Sequence, residues 1–333
     1  MAEGQRPSER PGEMLKEEET PEEQAEQVVE EEEEELEQER VMPADQPPEL
    51  GPPPTGERAD GWWKVLAVGG ALYLLGIGIL LLTGNSNLFP TVILLGSFLV
   101  PAAYVAFFYE RRRWSRLTWP TVGLTFFYGG VLGVFAASLL EPLFIRQLDF
   151  FTAFLVGLIE EAAKIIGVLV IARHWRHDSE VDGLILGAAA GMGFAALETS
   201  GYGFTVFMQS GGSLTSTFAV LVARSILAPL GHGTWTAILA AVLFREGHVT
   251  HFHIDGKVIG AYLLVSGLHG LWDGIPSLFS LFLPITTAIV AAQLAVGGAS
   301  LYILSVCWRD AKARQLQREL EQAAQAEARD QER

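Results

Sequence analysis

The stretch "GLIEEAAKIIGVLVIA", residues 157–172, sets two adjacent glutamates and a lysine inside a run of aliphatic residues. Residues three or four positions apart share one face of a helix, so Lys164 would lie beside both Glu160 and Glu161. What these charges do depends on the solvent around them, and that has to be judged from the rest of the chain.

From Trp62 onward the chain is a series of apolar stretches. Each is long enough to cross a hydrocarbon core of about 30 Å at about 1.5 Å per residue. We therefore predict an all-α polytopic membrane protein with eight transmembrane helices, at 63–83, 89–109, 119–140, 150–172, 183–208, 217–244, 258–280 and 284–307. No Walker lysine, strand-linked nucleotide-binding glycine motif or barrel-like alternation of apolar residues is present.

The net negative charge of the protein comes from its first 60 residues, which contain 21 Asp and Glu against five Lys and Arg. They also hold nine of the 16 prolines and too little apolar surface to form a core. We predict a disordered acidic cytoplasmic tail at 1–60 with no ordinary cleavable signal peptide. A transmembrane domain at 61–308 and a charged C-terminal cytoplasmic helix at 309–333 would follow. The single cysteine, Cys307, excludes an intramolecular disulfide.

Basic residues cluster in alternate loops and indicate the orientation. They follow the second, fourth, sixth and eighth spans: Arg111, Arg112, Arg113, Arg116, Arg173, Arg176, Arg245, Lys257, Arg309, Lys312 and Arg314. The opposite loops offer only Arg146. This pattern predicts a multi-pass protein of the cell (inner or plasma) membrane with both termini in the cytoplasm.

Ionisable side chains inside the spans concentrate in the fourth to seventh. They are Glu160, Glu161, Lys164, Glu198, Arg224, His232, His269 and Asp273. Each such group costs roughly 2.5–3.5 kcal/mol at bilayer depth, so together they indicate a polar cavity. Glu160 and His269 should meet near the midplane, about 15 Å from a membrane surface. Arg224 is expected to be a structural or snorkelling charge, and Pro229 to bend the sixth span near His232.

These residue types suit attack of water on a peptide carbonyl. One glutamate, beside a lysine in apolar surroundings, can accept a proton from water while the other orients it. Histidines on facing helices can bind the same water or donate hydrogen bonds to an oxyanion, and Asp273 can fix the tautomer of His269. Three alternatives stay open at this point: Lys164 as a simple ion-pair partner, a proton- or ion-coupled transporter, and an inactive scaffold that binds single-pass helices.

Four motifs in order resemble the PrsW family of intramembrane proteases, within the superfamily of type II CAAX prenyl proteases. They are EExxK at Glu160, Glu161 and Lys164; FxxxE at Phe194 and Glu198; "HGTWT" from His232; and "HGLWD" from His269 to Asp273. The resemblance covers about residues 65–305. Thr199 departs from it, because asparagine is expected after the FxxxE glutamate.

The resemblance implies a peptidase that hydrolyses membrane-embedded or membrane-adjacent proteins, in some bacteria an anti-sigma factor. Glu160 and Glu161 would be the acid/base pair, with Glu198, His232 and His269 as partners. A single-pass membrane protein in the lipid bilayer is the expected substrate, and no nucleic acid is expected. We expect glutamate-activated water with no required cofactor; zinc held by His232, His269 and Glu198 is the alternative.

Overall fold

A computed structural model describes residues 61–112, 115, 117–173, 179–247, 252–282 and 286–331. These residues form nine α-helices and no strand: α1 (Gly61–Thr83), α2 (Phe89–Tyr109), α3 (Trp119–Phe144), α4 (Thr152–Ala172), α5 (Glu180–Gln209), α6 (Leu214–Leu227), α7 (His232–Glu246), α8 (Gly256–Phe282) and α9 (Thr286–Gln331). The predicted all-helical multi-pass membrane architecture is confirmed. The predicted tail at 1–60 lies outside the described residues.

Seven described helical segments are long and apolar enough to cross a membrane. Helix α4, at 21 residues, is long enough to be the remaining one of the eight predicted crossings. It differs from the seven because its middle turns hold Glu160, Glu161 and Lys164. These three charges lower the mean hydropathy of α4.

The sixth predicted crossing consists of two helices, α6 and α7, and not of one continuous helix. A short 3-10 turn, Ala228–Leu230, separates α6 from α7, and Pro229 lies within it. Proline cannot donate a backbone hydrogen bond and clashes with the preceding helical turn, so the helix breaks here instead of bending smoothly. The break makes His232 the first residue of α7.

Helix α5 is the centre of the bundle and packs against α2, α3, α4, α6 and α7. Its glycines at 183, 187 and 191 lie every four residues along one face. A Cβ on any of them would collide with α7 backbone, at Ala240, Thr236 and His232 respectively. Small residues at this spacing let two membrane helices approach backbone to backbone. The glycine stripe therefore fixes the register of α7 and the depth of His232.

Helix α4 is held equally closely on two sides. Gly167 of α4 lies against the backbone of Gly129 in α3, and Gly157 lies against the carbonyl of Ser266 in α8. Since α4 packs between α3 and α8, the turn with the paired glutamates is enclosed. Apolar side chains on the outward faces of the bundle, such as Leu74 and Phe135, are exposed and suit contact with lipid.

Helix α9 continues without a break well past its apolar part. Beyond the predicted boundary at residue 309 it remains helical to Gln331. Arg314 anchors this extension by donating two hydrogen bonds of 2.7 Å to the carboxylate of Glu180, at the start of α5. Two parallel bonds of this kind give an Arg–carboxylate pair a fixed geometry.

Candidate active site

Lys164 lies at the centre of the buried polar cluster and its side chain is 0% exposed. Its Nζ atom donates hydrogen bonds to Glu160 Oε2 at 2.9 Å and to Glu161 Oε1 at 2.8 Å. A third contact, 2.9 Å long, joins Nζ to Nδ1 of His232. An ammonium has three protons and no lone pair, so these three acceptors use its whole donor capacity.

This arrangement sets the tautomer of His232. Because Lys164 can only donate, Nδ1 of His232 must accept, and the ring proton of a neutral imidazole is then on Nε2. Nε2 lies 3.2 Å from Glu198 Oε2. The imidazole of His232 therefore connects the lysine of α4 to the glutamate of α5.

Glu161 is the most enclosed of the acids, at 0% exposure. Its Oε1 accepts from Lys164 and lies 3.0 Å from Nδ1 of His269, and its Oε2 accepts from the Thr236 hydroxyl at 2.9 Å. Both oxygens are thus occupied by fixed donors. Glu161 holds three elements, α4, α7 and α8, in a single arrangement.

Glu160 has a different position, because it lines an open cavity. Its Oε2 lies 3.5 Å from Nε2 of His269 and 3.8 Å from Nδ1 of His232. Nε2 of His269 lies 3.3 Å from Asp273 Oδ2, one helical turn further along α8. One carboxylate of the pair therefore faces space that water or substrate can occupy, flanked by two imidazoles.

The second polar group of the cavity wall is Glu198 with its neighbours. Glu198 Oε2 pairs with Arg224 Nη2 at 2.7 Å. The Arg224 guanidinium also lies 3.8 Å from the ring centroid of Tyr202. Arg224, expected as a structural or snorkelling charge, lines the cavity and pairs with Glu198 of the FxxxE motif, which is compatible with a structural charge.

The cavity has a volume of about 600 Å³ and is bounded by α3 to α9. Its wall includes the helix break at Ala228 and Gly231, and a non-helical turn is tolerated at membrane depth where it borders such a cavity. The α3–α4 loop, residues 145–148, also borders it.

Aromatic side chains close the cavity on the α8 side. Trp235 stacks on His269 with ring centroids 4.6 Å apart and an interplanar angle of 26°. Its indole N–H donates to Ser300 Oγ at 2.9 Å, so α9 holds the ring in place. Trp272 packs edge-on against Trp235, with centroids 6.2 Å apart. These contacts restrict the rotation of the His269 imidazole.

All seven residues predicted as catalytic are brought into this one cluster: Glu160, Glu161, Lys164, Glu198, His232, His269 and Asp273. Sequence reasoning missed Glu141, which lies beyond the predicted end of the third span and lines the cavity from the last turns of α3. Its place four residues before a loop gave no spacing signal. Thr199 is buried and also lines the cavity.

The cluster carries an excess of negative charge. Five carboxylates, those of Glu141, Glu160, Glu161, Glu198 and Asp273, face two fixed cations, Lys164 and Arg224, so the formal difference is three negative charges before any histidine is protonated. Uncompensated charge is costly in a low-dielectric interior, so bound protons or a bound cation must reduce it. This composition suits a site that accepts and releases protons.

A metal ion also fits part of the cluster. Glu160, His232 and His269 each offer a ligand atom, and these atoms all lie within 4.8 Å of one another. Two imidazoles and one carboxylate form the donor set of an open catalytic zinc site. The triad differs in one member from the predicted one, because Glu160 replaces Glu198. Glu160 Oε2 and His232 Nδ1 also bind Lys164, so a metal at these atoms would compete with the ammonium.

The fold and the site define a multi-pass membrane protein with a buried acid–histidine cluster that opens to a cavity of about 600 Å³. A family model described as PrsW family intramembrane metalloprotease matches residues 117–298, just over half of the chain. The chain belongs to this family of intramembrane proteases, as its motifs predicted. No curated protein and no solved structure matches the chain.

Proposed function

We propose that this protein is an intramembrane endopeptidase that hydrolyses peptide bonds of single-pass membrane proteins, with Glu160 as the general base. The observation that carries the proposal is the unequal placement of the paired glutamates. Glu160 lines the cavity, whereas both oxygens of Glu161 are occupied by Lys164, His269 and Thr236. Only the first can reach a water molecule in the cavity.

The reaction follows from this geometry. Glu160 takes a proton from water, and the water oxygen bonds to the carbonyl carbon of the substrate. His269 acts as an imidazolium: its Nδ1–H is directed at Glu161, and its Nε2–H, 3.5 Å from Glu160 Oε2, is placed to donate to the resulting oxyanion. The oxyanion then re-forms the carbonyl and the C–N bond breaks as Glu160 gives its proton to the leaving nitrogen, which leaves a carboxylic acid and an amine; the acid afterwards loses its proton to water.

The remaining residues position these two. Glu161 accepts from Nδ1 of His269, so it orients the imidazole that faces the oxyanion. Lys164 holds Glu160 and His232, and Asp273 lies against the other nitrogen of His269. If zinc is bound, Glu160, His232 and His269 would hold it, and the ion would polarise the attacking water.

The position of the cavity indicates the side of the membrane from which a substrate would approach. It is bordered by the α3–α4 loop, which the arginine pattern assigns to the side opposite the cytoplasm. We therefore propose a protein of the cell membrane with cytoplasmic termini that cleaves its substrates within or just outside the non-cytoplasmic half of the bilayer.

The test compares cells that express the intact protein with cells that express Glu160→Gln. Single-pass membrane proteins are followed by quantitative proteomics, including new N-termini. We expect one or a few of them to accumulate uncut in the Glu160→Gln cells. No change in any membrane protein, together with an altered ion gradient, would instead indicate a transporter.

A further inference from the structure

Arg224 is held between two side chains of α5 that are one turn apart. The carboxylate of Glu198 lies 2.7 Å from Nη2, and the ring of Tyr202 lies 3.8 Å from the guanidinium carbon. A guanidinium combines charge pairing with stacking in this way more readily than an ammonium does. Arg224 itself belongs to the last turn of α6, just before the helix break.

The same oxygen of Glu198 that pairs with Arg224 also faces His232. Oε2 lies 3.2 Å from Nε2 of His232, while Nδ1 of that ring binds Lys164. Neither contact of this oxygen has the alignment of a good hydrogen bond, so Glu198 interacts with Arg224 mainly through charge and with the neutral His232 ring through its Nε2–H dipole. The position of Glu198 therefore depends on a cation that can hold it.

A chain of contacts leads from Arg224 to the proposed base. It runs through Glu198, His232 and Lys164 to Glu160, and each link is between 2.7 and 3.2 Å long. Because α6 and α7 are separate helices, no continuous backbone helix fixes His232 relative to α6. Arg224 of α6 contacts Glu198, and Glu198 contacts His232 of α7, so this pair connects the two helices across the break.

We propose that Arg224 is a positioning residue for hydrolysis: through Glu198 it holds the imidazole of His232 in the orientation that places Lys164 against Glu160. The proposal rests on the proposed function. It assigns Arg224 no contact with the substrate. Its loss should lower the rate of the chemical step and leave substrate binding unchanged.

The test is a double-mutant cycle on purified protein in proteoliposomes. Its substrate is an epitope-tagged single-pass protein that accumulates uncut in Glu160→Gln cells. We expect Arg224→Met to lower kcat by about 10–100-fold, as loss of a supporting partner usually does, with KM within about twofold of the original. Arg224→Lys should recover part of the loss, because the charge is retained.

The cycle separates positioning from an independent role. If Arg224 acts only through Glu198, the double variant Glu198→Gln/Arg224→Met should be about as active as Glu198→Gln alone. The double variant also removes both charges, so no unpaired charge is left buried. Arg314→Met is the matched control, because it breaks an Arg–Glu pair of the same length far from the cavity and should not alter kcat.

A spectroscopic measurement reports on the ring itself. The ¹⁵N chemical shifts of His232 should show the proton on Nε2 in the intact protein and a mixture of tautomers in Arg224→Met. The proposal is overturned by an increase in KM at constant kcat, by losses that multiply in the cycle, or by an unchanged tautomer. If Glu160→Gln cleaves normally, the proposed function fails, whatever the result for Arg224.

Discussion

The Nζ atom of Lys164 lies 2.9 Å from Nδ1 of His232, although the two residues are 68 positions apart in the chain. This contact joins the EExxK motif of α4 to the first residue of α7. A lysine that only neutralised its glutamate neighbours would need no such partner. Lys164 organises two motifs that the sequence keeps apart.

The two glutamates should respond differently to the same substitution. Glu160→Gln removes the proposed base, yet its amide oxygen can still accept from Lys164 and its other partners are not fixed donors, so cleavage should be lost while the melting temperature falls less than in Glu161→Gln. Glu161→Gln turns an amide N–H₂ toward fixed donors and should lower stability by about 3 kcal/mol or more, the usual effect of breaking a buried ion pair. Cleavage assays and thermal melts in detergent measure both.

Glu246→Gln serves as the control for this comparison, because Glu246 pairs with Lys257 away from the cavity. It should leave cleavage intact. Cleavage at the original rate by Glu160→Gln would contradict the assignment of the base.

Thr236 should matter through its hydroxyl alone. Thr236→Val keeps the volume but leaves Glu161 Oε2 without its 2.9 Å donor, so stability should fall by about 1–3 kcal/mol and cleavage with it. Thr125→Val is the control, because Thr125 is equally buried but donates only to the carbonyl of Thr121 in its own helix. Equal losses in the two variants would show that burial, and not the bond to Glu161, explains the effect.

Metal dependence can be tested on the purified protein. We expect cleavage without added metal, because Lys164 already binds one possible ligand atom of Glu160, Oε2, and one of His232, Nδ1. Elemental analysis and chelation measure this directly. One zinc per chain that tracks activity, and that is lost in His232→Ala and His269→Ala, would instead assign the metal mechanism to the Glu160–His232–His269 triad.

Close backbone packing predicts opposite effects for two glycines of α5. A Cβ at Gly193 would collide with the carbonyl oxygen of Phe126 in α3, so Gly193→Ala should destabilise the protein by about 1–3 kcal/mol or prevent folding. Gly201→Ala meets no atom within 4 Å and should be neutral or stabilise α5 by up to about 1 kcal/mol. Size-exclusion profiles and melting temperatures compare the two. A stable Gly193→Ala protein would show that α3 and α5 can separate.

The sequence predicted the crossings well because bilayer thickness imposes a length on every apolar helix. It also predicted which residues converge, since ionisable groups at membrane depth need one another. It did not predict that Pro229 ends a helix outright. That outcome depends on whether the cavity can accept the freed backbone, which only the assembled bundle determines.

The spacing of residues in the sequence also could not assign different roles to the two glutamates. Glu160 and Glu161 are neighbours in one motif, and periodicity cannot tell which of them faces the cavity. The distinction comes from Thr236 and His269 on other helices, which occupy Glu161. Arg224 was judged by its depth alone, whereas its pairing with Glu198 depends on where α6 ends.

The anchored extension of α9 gives the molecule a stiff arm. From Arg314 to Gln331 the helix is about 26 Å long, at about 1.5 Å per residue, and its base is clamped to the start of α5. A small tilt of α5 would therefore move the tip of this arm farther than its base. Fluorophores placed on the tip could follow rearrangements of the membrane-embedded core from the aqueous phase.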